Sequence, residues 1–197
     1  ELPEFHAEYA ECLAYGFDYE GAMREAEAAL SSFADYHSIE PLQFDAAMGA
    51  AVKERRVLWE KIAARAEALT ISACLIARDE AAHMPAWLDN TAVYSDERIV
   101  ADTGSVDETR AIAASAGATV YDFPWCDDFA AARNFAIEKA TGDWVAFFDA
   151  DETLTTPERL RPLLAEVELL HPEAEAVQVV IANVDEDDGG REFHRFM

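Results

Sequence analysis

The sequence predicts an α/β protein, with a mostly parallel sheet flanked by helices and an α-helical appendage before it. Apolar residues recur at helical spacing up to about residue 69, and short apolar runs alternate with helical segments from Thr70 onward. Near the end, EDDGG separates two strand-like segments and predicts an antiparallel hairpin. Strands that alternate with helices are typical of crossover connections, which build parallel sheets covered on both faces.

Residues 1–69 are predicted to form the helical N-terminal region. One apolar stripe recurs at intervals of three, four and seven, through Phe44, Met48, Val52, Trp59, Ile62 and Leu69. No group of residues in this region suggests chemistry. Its position alone suggests two roles, acceptor binding or assembly, including an oligomer formed through these helices.

Residues 70–197 are predicted to form the α/β domain. Its strands are expected at 70–77, 97–101, 119–123, 143–148 and 176–184, with a hairpin partner in REFHRF. Helices are expected at 85–91, 106–116, 128–140 and 157–170. Because ligands bind beyond the carboxyl ends of strands in such sheets, the residues that follow each strand are the first candidates for a site.

Composition limits the kinds of partner. The chain has 197 residues, 51% of them hydrophobic, and 40 acidic against 15 basic residues give a net charge of −25. Nucleic acid would be repelled, and no apolar run reaches the ~18 residues of a transmembrane segment. Cys12, Cys74 and Cys126 are widely spaced, which fits reduced thiols. We therefore expect a cytoplasmic protein.

Asp102 ends the second predicted strand, in ADTGSVDET. Ser105 and Glu108 have the spacing of a capping box, which with Asp107 accounts for these three residues as the start of a helix. Asp102 has no such role, so its carboxylate is free to accept a hydrogen bond from a base N–H or a ribose hydroxyl. Gly104 allows a tight turn beside it.

The stretch WVAFFDADE (144–152) runs from a buried strand into a cluster of carboxylates. Thr156 as N-cap and Pro157 are expected to start the next helix, so Asp149, Asp151 and Glu152 are not needed as caps. On extended chain, Asp149 and Asp151 would point to one side, roughly 7 Å apart. Such a pair suits a hard divalent cation, and a solvated acidic loop is the alternative.

Arg133 and Asn134 interrupt the Ala-rich segment DDFAAARNFAIEKATGD, whose N-cap is predicted at Asp127. Either both face solvent, or both lie over the strand ends, with Arg133 supplying positive charge for a phosphate. The first strand ends in LIARDE, where Asp79 or Glu80 could instead introduce the next helix. A nucleotide pocket would be walled there by Ala77, Arg78 and Glu80.

Taken together, ISACLIARDE, RIVADTGSVDET, DFAAARNFAIEKATGDW and WVAFFDADE closely resemble, in order and spacing, the conserved segments of family 2 inverting glycosyltransferases. Members of that family have the GT-A fold, built on a Rossmann-like sheet. The resemblance covers residues 70 to about 155 well, extends toward 197 and does not reach the N-terminal helices.

The resemblance implies a hexosyltransferase with a nucleotide-sugar donor, most often a UDP-sugar, and Mg²⁺ or Mn²⁺ as cofactor. It implies that Asp102 binds the base, that Asp149 contacts ribose or metal beside Ala150, and that Asp151 is the main metal ligand. The remaining residues expected along the nucleotide are Ala77, Arg78, Glu80, Arg133 and Asn134. The acceptor, a glycan, a lipid or a protein, stays unknown.

The family's general base is expected beyond Met197, in an acceptor part that this sequence does not show, so we expect little transfer by these residues alone. Other classes fit less well. A sugar-nucleotide pyrophosphorylase needs a Gly-rich basic first loop, and a dinucleotide oxidoreductase needs G-x-G-x-x-G after the first strand. A non-catalytic nucleotide-sugar sensor or scaffold stays open.

Overall fold

The computed structural model describes residues 3–36, 43–179, 181–184 and 191–194, with side chains described at 6–32 and 49–179. Three helices come first: α1 (Pro3–Tyr15), α2 (Tyr19–Tyr36) and α3 (Gln43–Ala68). Strands and helices then alternate: β1 (Ile71–Ala77), α4 (Met84–Thr91), β2 (Glu97–Asp102), α5 (Thr109–Ser115), β3 (Thr119–Asp122), α6 (Phe129–Ile137) and β4 (Trp144–Phe147). A 3₁₀ turn (Pro157–Arg159) leads to α7 (Leu160–Leu170), and β5 (Ile181–Val184) and β6 (Arg191–His194) follow.

The main sheet has four parallel strands in the order β3-β2-β1-β4, with β1 at its centre. Successive side chains of a strand point to opposite faces, and β1 is buried on both. Ile71, Ala73 and Leu75 pack into one cluster of buried residues, and Cys74 packs into a second cluster with Ala136 of α6. Helices therefore cover both faces, which confirms the predicted α/β class.

The N-terminal region is helical, as predicted, and it packs onto the α/β part. Helix α3 lies between α2 and α7, so Trp59 and Ile62 share one buried cluster with Leu164 and Ala165. Arg65 of α3 donates hydrogen bonds to Glu168 of α7. The proposed boundary near residue 69 falls in the short link between α3 and β1.

The start of β4 is fixed by a close approach to β1. A Cβ on Gly142 would lie 2.7 Å from Ser72 Oγ and 2.8 Å from Ser72 N, so a larger residue would displace the backbone. The carboxylate of Asp143 accepts a hydrogen bond from Thr70 N (2.9 Å). These contacts set β4 in register beside β1, and the carboxyl ends of the two strands meet at one edge of the sheet.

The last predicted strand differs from the structure. Residues 176–179 are not a strand, although Val177 packs against the core, and β5 begins only at Ile181. β5 and β6 form the predicted antiparallel hairpin, but as a separate two-stranded sheet rather than at the side of the main sheet. An apolar pattern cannot distinguish a strand from an extended segment that only packs. The EDDGG turn lies outside the described residues.

None of the helices in the described ranges is both long and apolar enough to cross a lipid bilayer.

Candidate functional site

A cavity of about 310 Å³ opens at the carboxyl ends of β1 and β4, beside the first turns of α6. Most of the residues predicted from the strand ends line it together: Ala77, Arg78, Glu80, Arg133, Asp149, Ala150 and Asp151. Two predicted residues do not line it. Asn134 is exposed on α6, and Asp102 is buried behind the cavity.

The Asp102 carboxylate is not free, in contrast to the sequence-based expectation. Its side chain is 1% exposed and receives a hydrogen bond from the guanidinium of Arg110 (3.1 Å). Its oxygens also accept from the backbone N–H groups of Gly104 (3.2 Å) and Ser105 (3.2 Å). Gly104 has a φ of 111°, as the predicted tight turn requires. Asp102 therefore holds the loop after β2 in place.

The predicted capping box is wrong. Helix α5 begins only at Thr109, and Glu108 makes no capping hydrogen bond with its side chain. Asp107 takes that role, because its Oδ1 accepts from Thr109 N (2.9 Å). Ser105 Oγ instead accepts from Asp79 N (3.0 Å), 26 residues away in the chain.

Reciprocal hydrogen bonds join the β1–α4 loop to the β2–α5 loop. Asp79 has a left-handed φ of 56°, and its Oδ1 accepts from Val106 N (2.7 Å) and Asp107 N (3.3 Å). In return, Asp107 Oδ2 accepts from Ala81 N (3.1 Å). We call these contacts of Asp79 and Asp107 the loop clamp. Arg78 and Glu80, on either side of Asp79, are thereby held at the cavity.

The carboxylates after β4 lie on a turn and not on extended chain, so the extended backbone assumed from the sequence is wrong. Glu152 N donates to Asp149 O (3.0 Å), and Glu152 Oε2 accepts from Asp149 N (2.9 Å). Ala150 is buried in this turn, whereas Asp149 and Asp151 are exposed and still line the same cavity. A local turn closed by Glu152 overrides the strand geometry assumed from the sequence.

The next helical turn starts without help from these carboxylates, as predicted. Pro157 occupies the first position, and Thr156 is the N-cap residue, although its side chain makes no capping hydrogen bond. Asp149 and Asp151 are consequently not used to cap this helical turn.

Arg133 extends from α6 across the cavity toward β4. Its Nη2 lies 3.3 Å from Asp149 Oδ1, and its guanidinium carbon lies 4.9 Å from the centre of the Phe147 ring. Helix α6 is capped by Asp128, whose Oδ1 accepts from Ala131 N (3.0 Å), and not by Asp127 as predicted. The left-handed φ of 58° at Asp127 turns its carboxylate to Trp125 Nε1 instead (2.7 Å).

Five further residues line the cavity that sequence reasoning did not select: Ile76, His83, Thr103, Trp125 and Phe129. Trp125 and Phe129 follow the third strand, so the rule that selects residues beyond strand ends could have found them. Thr103 directly follows Asp102, and its Oγ1 donates to Ala77 O (3.2 Å). His83 Nδ1 lies 2.8 Å from Glu80 Oε2.

A divalent cation requires oxygen ligands, and the cavity offers carboxylates. Within the described ranges, no three His, Cys, Asp or Glu side chains converge into a ready-made metal cluster. Two exposed carboxylates, Asp149 and Asp151, share the cavity. Mg²⁺ is commonly held by one or two protein carboxylates together with substrate phosphates, so these residues fit an ion that arrives with a diphosphate.

Comparison with curated proteins places the similarity in one part of the chain. A TPR repeat-containing protein of Synechococcus elongatus is 54% identical over 84 residues, which is 43% of this chain and 21% of that protein. An uncharacterized glycosyltransferase of Rickettsia felis is 38% identical over 85 residues, which is 43% of this chain and 30% of the relative. The chain thus spans less than a third of the length of these relatives.

Solved structures show a partial likeness. Glucosyl-3-phosphoglycerate synthase from Mycobacterium tuberculosis, in complex with Mn²⁺, UDP and glucosyl-3-phosphoglycerate, is 30% identical with a TM-score of 0.42, over 53% of this chain and 43% of that one. A mannosyltransferase from Pyrobaculum calidifontis, in complex with GDP-Man and Mn²⁺, is 22% identical with a TM-score of 0.45, over 50% of this chain and 32% of that one.

The family comparison covers more of the sequence. The pattern of glycosyl transferase family 2 matches residues 72–196, which include all of the main sheet except Ile71 and every residue of the cavity. The chain therefore belongs to glycosyl transferase family 2, and its parallel sheet flanked by helices is the GT-A fold class predicted from the sequence.

Proposed function

We propose that this chain forms the donor-binding part of a hexosyltransferase that transfers a sugar from a nucleotide-diphosphate sugar, a UDP-sugar, with inversion. One observation carries the proposal. Exposed carboxylates, Asp149 and Asp151, and an exposed guanidinium, Arg133, face one cavity at the carboxyl ends of β1 and β4. Ligands of open α/β sheets bind at this edge.

The charges of the cavity suit a diphosphate. Arg133 presents a planar group that can donate two parallel hydrogen bonds to phosphate oxygens. Asp149 and Asp151 would hold Mg²⁺ or Mn²⁺, which supplies Lewis-acid stabilisation of the negative charge on a departing diphosphate. With a net charge of −25, the protein would repel a free diphosphate over most of its surface, so a cation and Arg133 are both needed.

The nucleoside is proposed to lie along the ends of β1 and β2. Ala77 leaves room there for a ring, and Arg78, Glu80 and Thr103 carry the polar groups that could bind ribose hydroxyls and the edge of a base. We assign no general base among the described residues, so the proposal covers donor binding and the handling of the diphosphate.

A cytoplasmic location is proposed from the thiols. Cys12 and Cys126 are exposed and Cys74 is buried, all without a disulfide. Burial raises the pKa of the Cys74 thiol to about 12. Exposed free thiols fit a reducing compartment better than an oxidising one.

The proposal is tested by calorimetric titration with UDP, GDP, CDP and their sugar derivatives, with and without Mn²⁺. We expect selective binding of one nucleoside diphosphate that is lost with a chelator and in Asp151→Asn. Glu60→Gln, an equally conservative change at an exposed site on α3, is the matched control and should bind like the wild type. Failure of every nucleotide to bind in the presence of Mn²⁺ would overturn the proposal.

A further inference from the structure

Two aromatic side chains form a corner at the mouth of the cavity. The ring centres of Trp125 and Phe129 are 4.7 Å apart, with 69° between the ring planes. Phe129 is 70% exposed, although it begins a helix whose buried face is made of Ala132 and Ala136. We call this pair the aromatic corner.

Hydrogen bonds fix the position of the aromatic corner. Trp125 Nε1 donates to Asp127 Oδ1 (2.7 Å), and Asp128 caps the helix that carries Phe129. A large apolar ring kept at a cavity mouth instead of in the core exposes area whose burial by a ligand would be favourable.

The position of the corner indicates which part of a donor it would meet. Phe129 and Arg133 are four residues apart on α6 and share one face of that helix. Helix α6 packs on β1 and β2, whereas Asp149 and Asp151 follow β4 on the other side of β1. A diphosphate held by Arg133 and the carboxylates would have its nucleoside on the β1–β2 side, where the corner is, and its sugar on the β4 side.

The burial of Asp102 adds an independent reason. Its carboxylate is 1% exposed, does not line the cavity and already accepts hydrogen bonds from Arg110 and two backbone N–H groups. The aromatic rings of the described cavity wall belong to Trp125, Phe129 and His83, and His83 Nδ1 already lies 2.8 Å from Glu80 Oε2. The rings of Trp125 and Phe129 are therefore the largest flat surfaces available to a base there. We propose that the aromatic corner packs against the nucleobase of the donor and sets much of the affinity for the nucleoside.

The proposal rests on the proposed function, and it makes a separate prediction. Stacking of a base on an aromatic ring is sequence-tolerant, because every base has a flat π face. The corner should therefore strengthen binding of several nucleoside diphosphates, while edge contacts from groups such as Thr103 distinguish between them.

Calorimetric titration of the whole chain tests this, with Mn²⁺ present and with UDP, a UDP-sugar and inorganic pyrophosphate as probes. In Phe129→Ala and Trp125→Ala, we expect Kd for UDP and for the UDP-sugar to rise together, by roughly 5- to 100-fold, while Kd for pyrophosphate stays unchanged. Phe129→Tyr should retain most of the affinity. Tyr15→Ala, which removes a ring that is 91% exposed on α1, is the matched control.

Each contrary outcome has a distinct meaning. A loss for the UDP-sugar alone would place the sugar at the corner and overturn the proposal. An equal loss for pyrophosphate would also overturn it, because the variants would then have disturbed the phosphate site or the fold. If the wild type binds pyrophosphate but no nucleotide more tightly, the proposed function fails as well.

Discussion

The guanidinium of Arg133 lies 3.3 Å from the carboxylate of Asp149, across the cavity between α6 and the end of β4. Both side chains are about half exposed, at 52% and 53%. An ion pair in such a setting contributes about 0–1 kcal/mol to stability, because water and salt screen it. The pair therefore adds little to stability, which leaves Arg133 and Asp149 free to serve the proposed nucleotide site.

Arg133→Met should therefore weaken nucleotide binding without unfolding the protein. Hydrogen bonds to charged groups are worth about 1.5–3 kcal/mol, so Kd for the nucleoside diphosphate should rise by about 10- to 100-fold. Urea denaturation should show a change of less than about 1 kcal/mol. Arg133→Lys keeps the charge but loses the planar group, and it should fall between the two. A loss of several kcal/mol of stability would show that Arg133 is mainly structural.

Asp151 and Glu152 are adjacent carboxylates for which we expect different effects. Glu152 Oε2 accepts from Asp149 N, a bond that the amide oxygen of Glu152→Gln can replace. Asp151 lines the cavity. Asp151→Asn should abolish the Mn²⁺ dependence of nucleotide binding, whereas Glu152→Gln should keep it, as measured by Mn²⁺ titration at a fixed nucleotide concentration. Equal losses in both variants would argue against Asp151 as a metal ligand.

Substitutions of Asp79 in the loop clamp can distinguish the effect of its side-chain hydrogen bonds from the effect of its left-handed backbone conformation. Asp79→Ala removes the acceptor for Val106 N and Asp107 N. It also places alanine in a left-handed conformation (φ 56°), which alanine adopts less readily than aspartate does. We expect a loss of stability of about 1–2 kcal/mol and weaker nucleotide binding, because Arg78 and Glu80 lose their support.

Two matched variants show whether the lost acceptor or the strained backbone causes the weaker nucleotide binding of Asp79→Ala. Asp79→Gly relieves the left-handed backbone but still lacks the acceptor, and Asp79→Asn keeps both an acceptor and a side chain that tolerates this conformation. Nucleotide affinity should therefore recover in Asp79→Asn but not in Asp79→Gly. Affinity that is unchanged in Asp79→Ala would show that the clamp does not support the cavity.

The loop clamp is a feature that could not be predicted from the sequence. The change from helical to strand period predicted the order of strands and helices up to α7, and the strand-end rule selected Asp149 and Asp151, which line one cavity. For Arg133, within α6, the sequence left two alternatives open, solvent or the strand ends, and the structure places it at the cavity. The S-x-x-E pattern failed because the partner of Ser105 is Asp79, 26 residues earlier, and local spacing carries no information about that contact. The turn at Asp149 likewise depends on the hydrogen bond from Asp149 N to Glu152 Oε2, which the sequence pattern does not predict.

Arg65 and Glu168 connect the N-terminal helices to the α/β part. Glu168 accepts from the guanidinium of Arg65 and from Trp144 Nε1 (2.7 Å), and the hydrogen bond with Arg65 lowers the pKa of Glu168. Both ionic side chains are less than a third exposed, at 30% and 28%. Glu168→Ala would leave Arg65 Nε and Trp144 Nε1 without an acceptor, whereas Arg65 Nη2 would keep its contact with Asp143 (3.3 Å). The change should cost about 1–3 kcal/mol in the free energy of unfolding.

A double-mutant cycle with Arg65→Met and Glu168→Gln measures the pair itself. We expect a coupling above about 0.5 kcal/mol and one cooperative transition in urea followed by tryptophan fluorescence and by circular dichroism. Additive effects, or two separate transitions, would show that the helical region unfolds independently of the sheet.

Glu97 gives the chain a specific response to acid. Burial opposes ionisation of its carboxyl group, but hydrogen bonds from Ser72 Oγ (2.6 Å), Thr141 N (2.6 Å) and Thr141 Oγ1 (2.9 Å) outweigh burial and hold the pKa of Glu97 below its usual value of 4.5. Since the pKa of Glu97 is lower in the folded state, its carboxylate stabilises the fold above the unfolded pKa. This contribution to stability is lost as pH falls through the folded pKa.

The free energy of unfolding should therefore decline below about pH 4.5 less steeply in Glu97→Gln than in the wild type. Urea denaturation at pH 7, 5 and 4 compares the two proteins, and other carboxylates with lowered pKa values, such as Asp143, affect both equally. Parallel curves would show that the Ser72 and Thr141 contacts do not depend on the charge of Glu97.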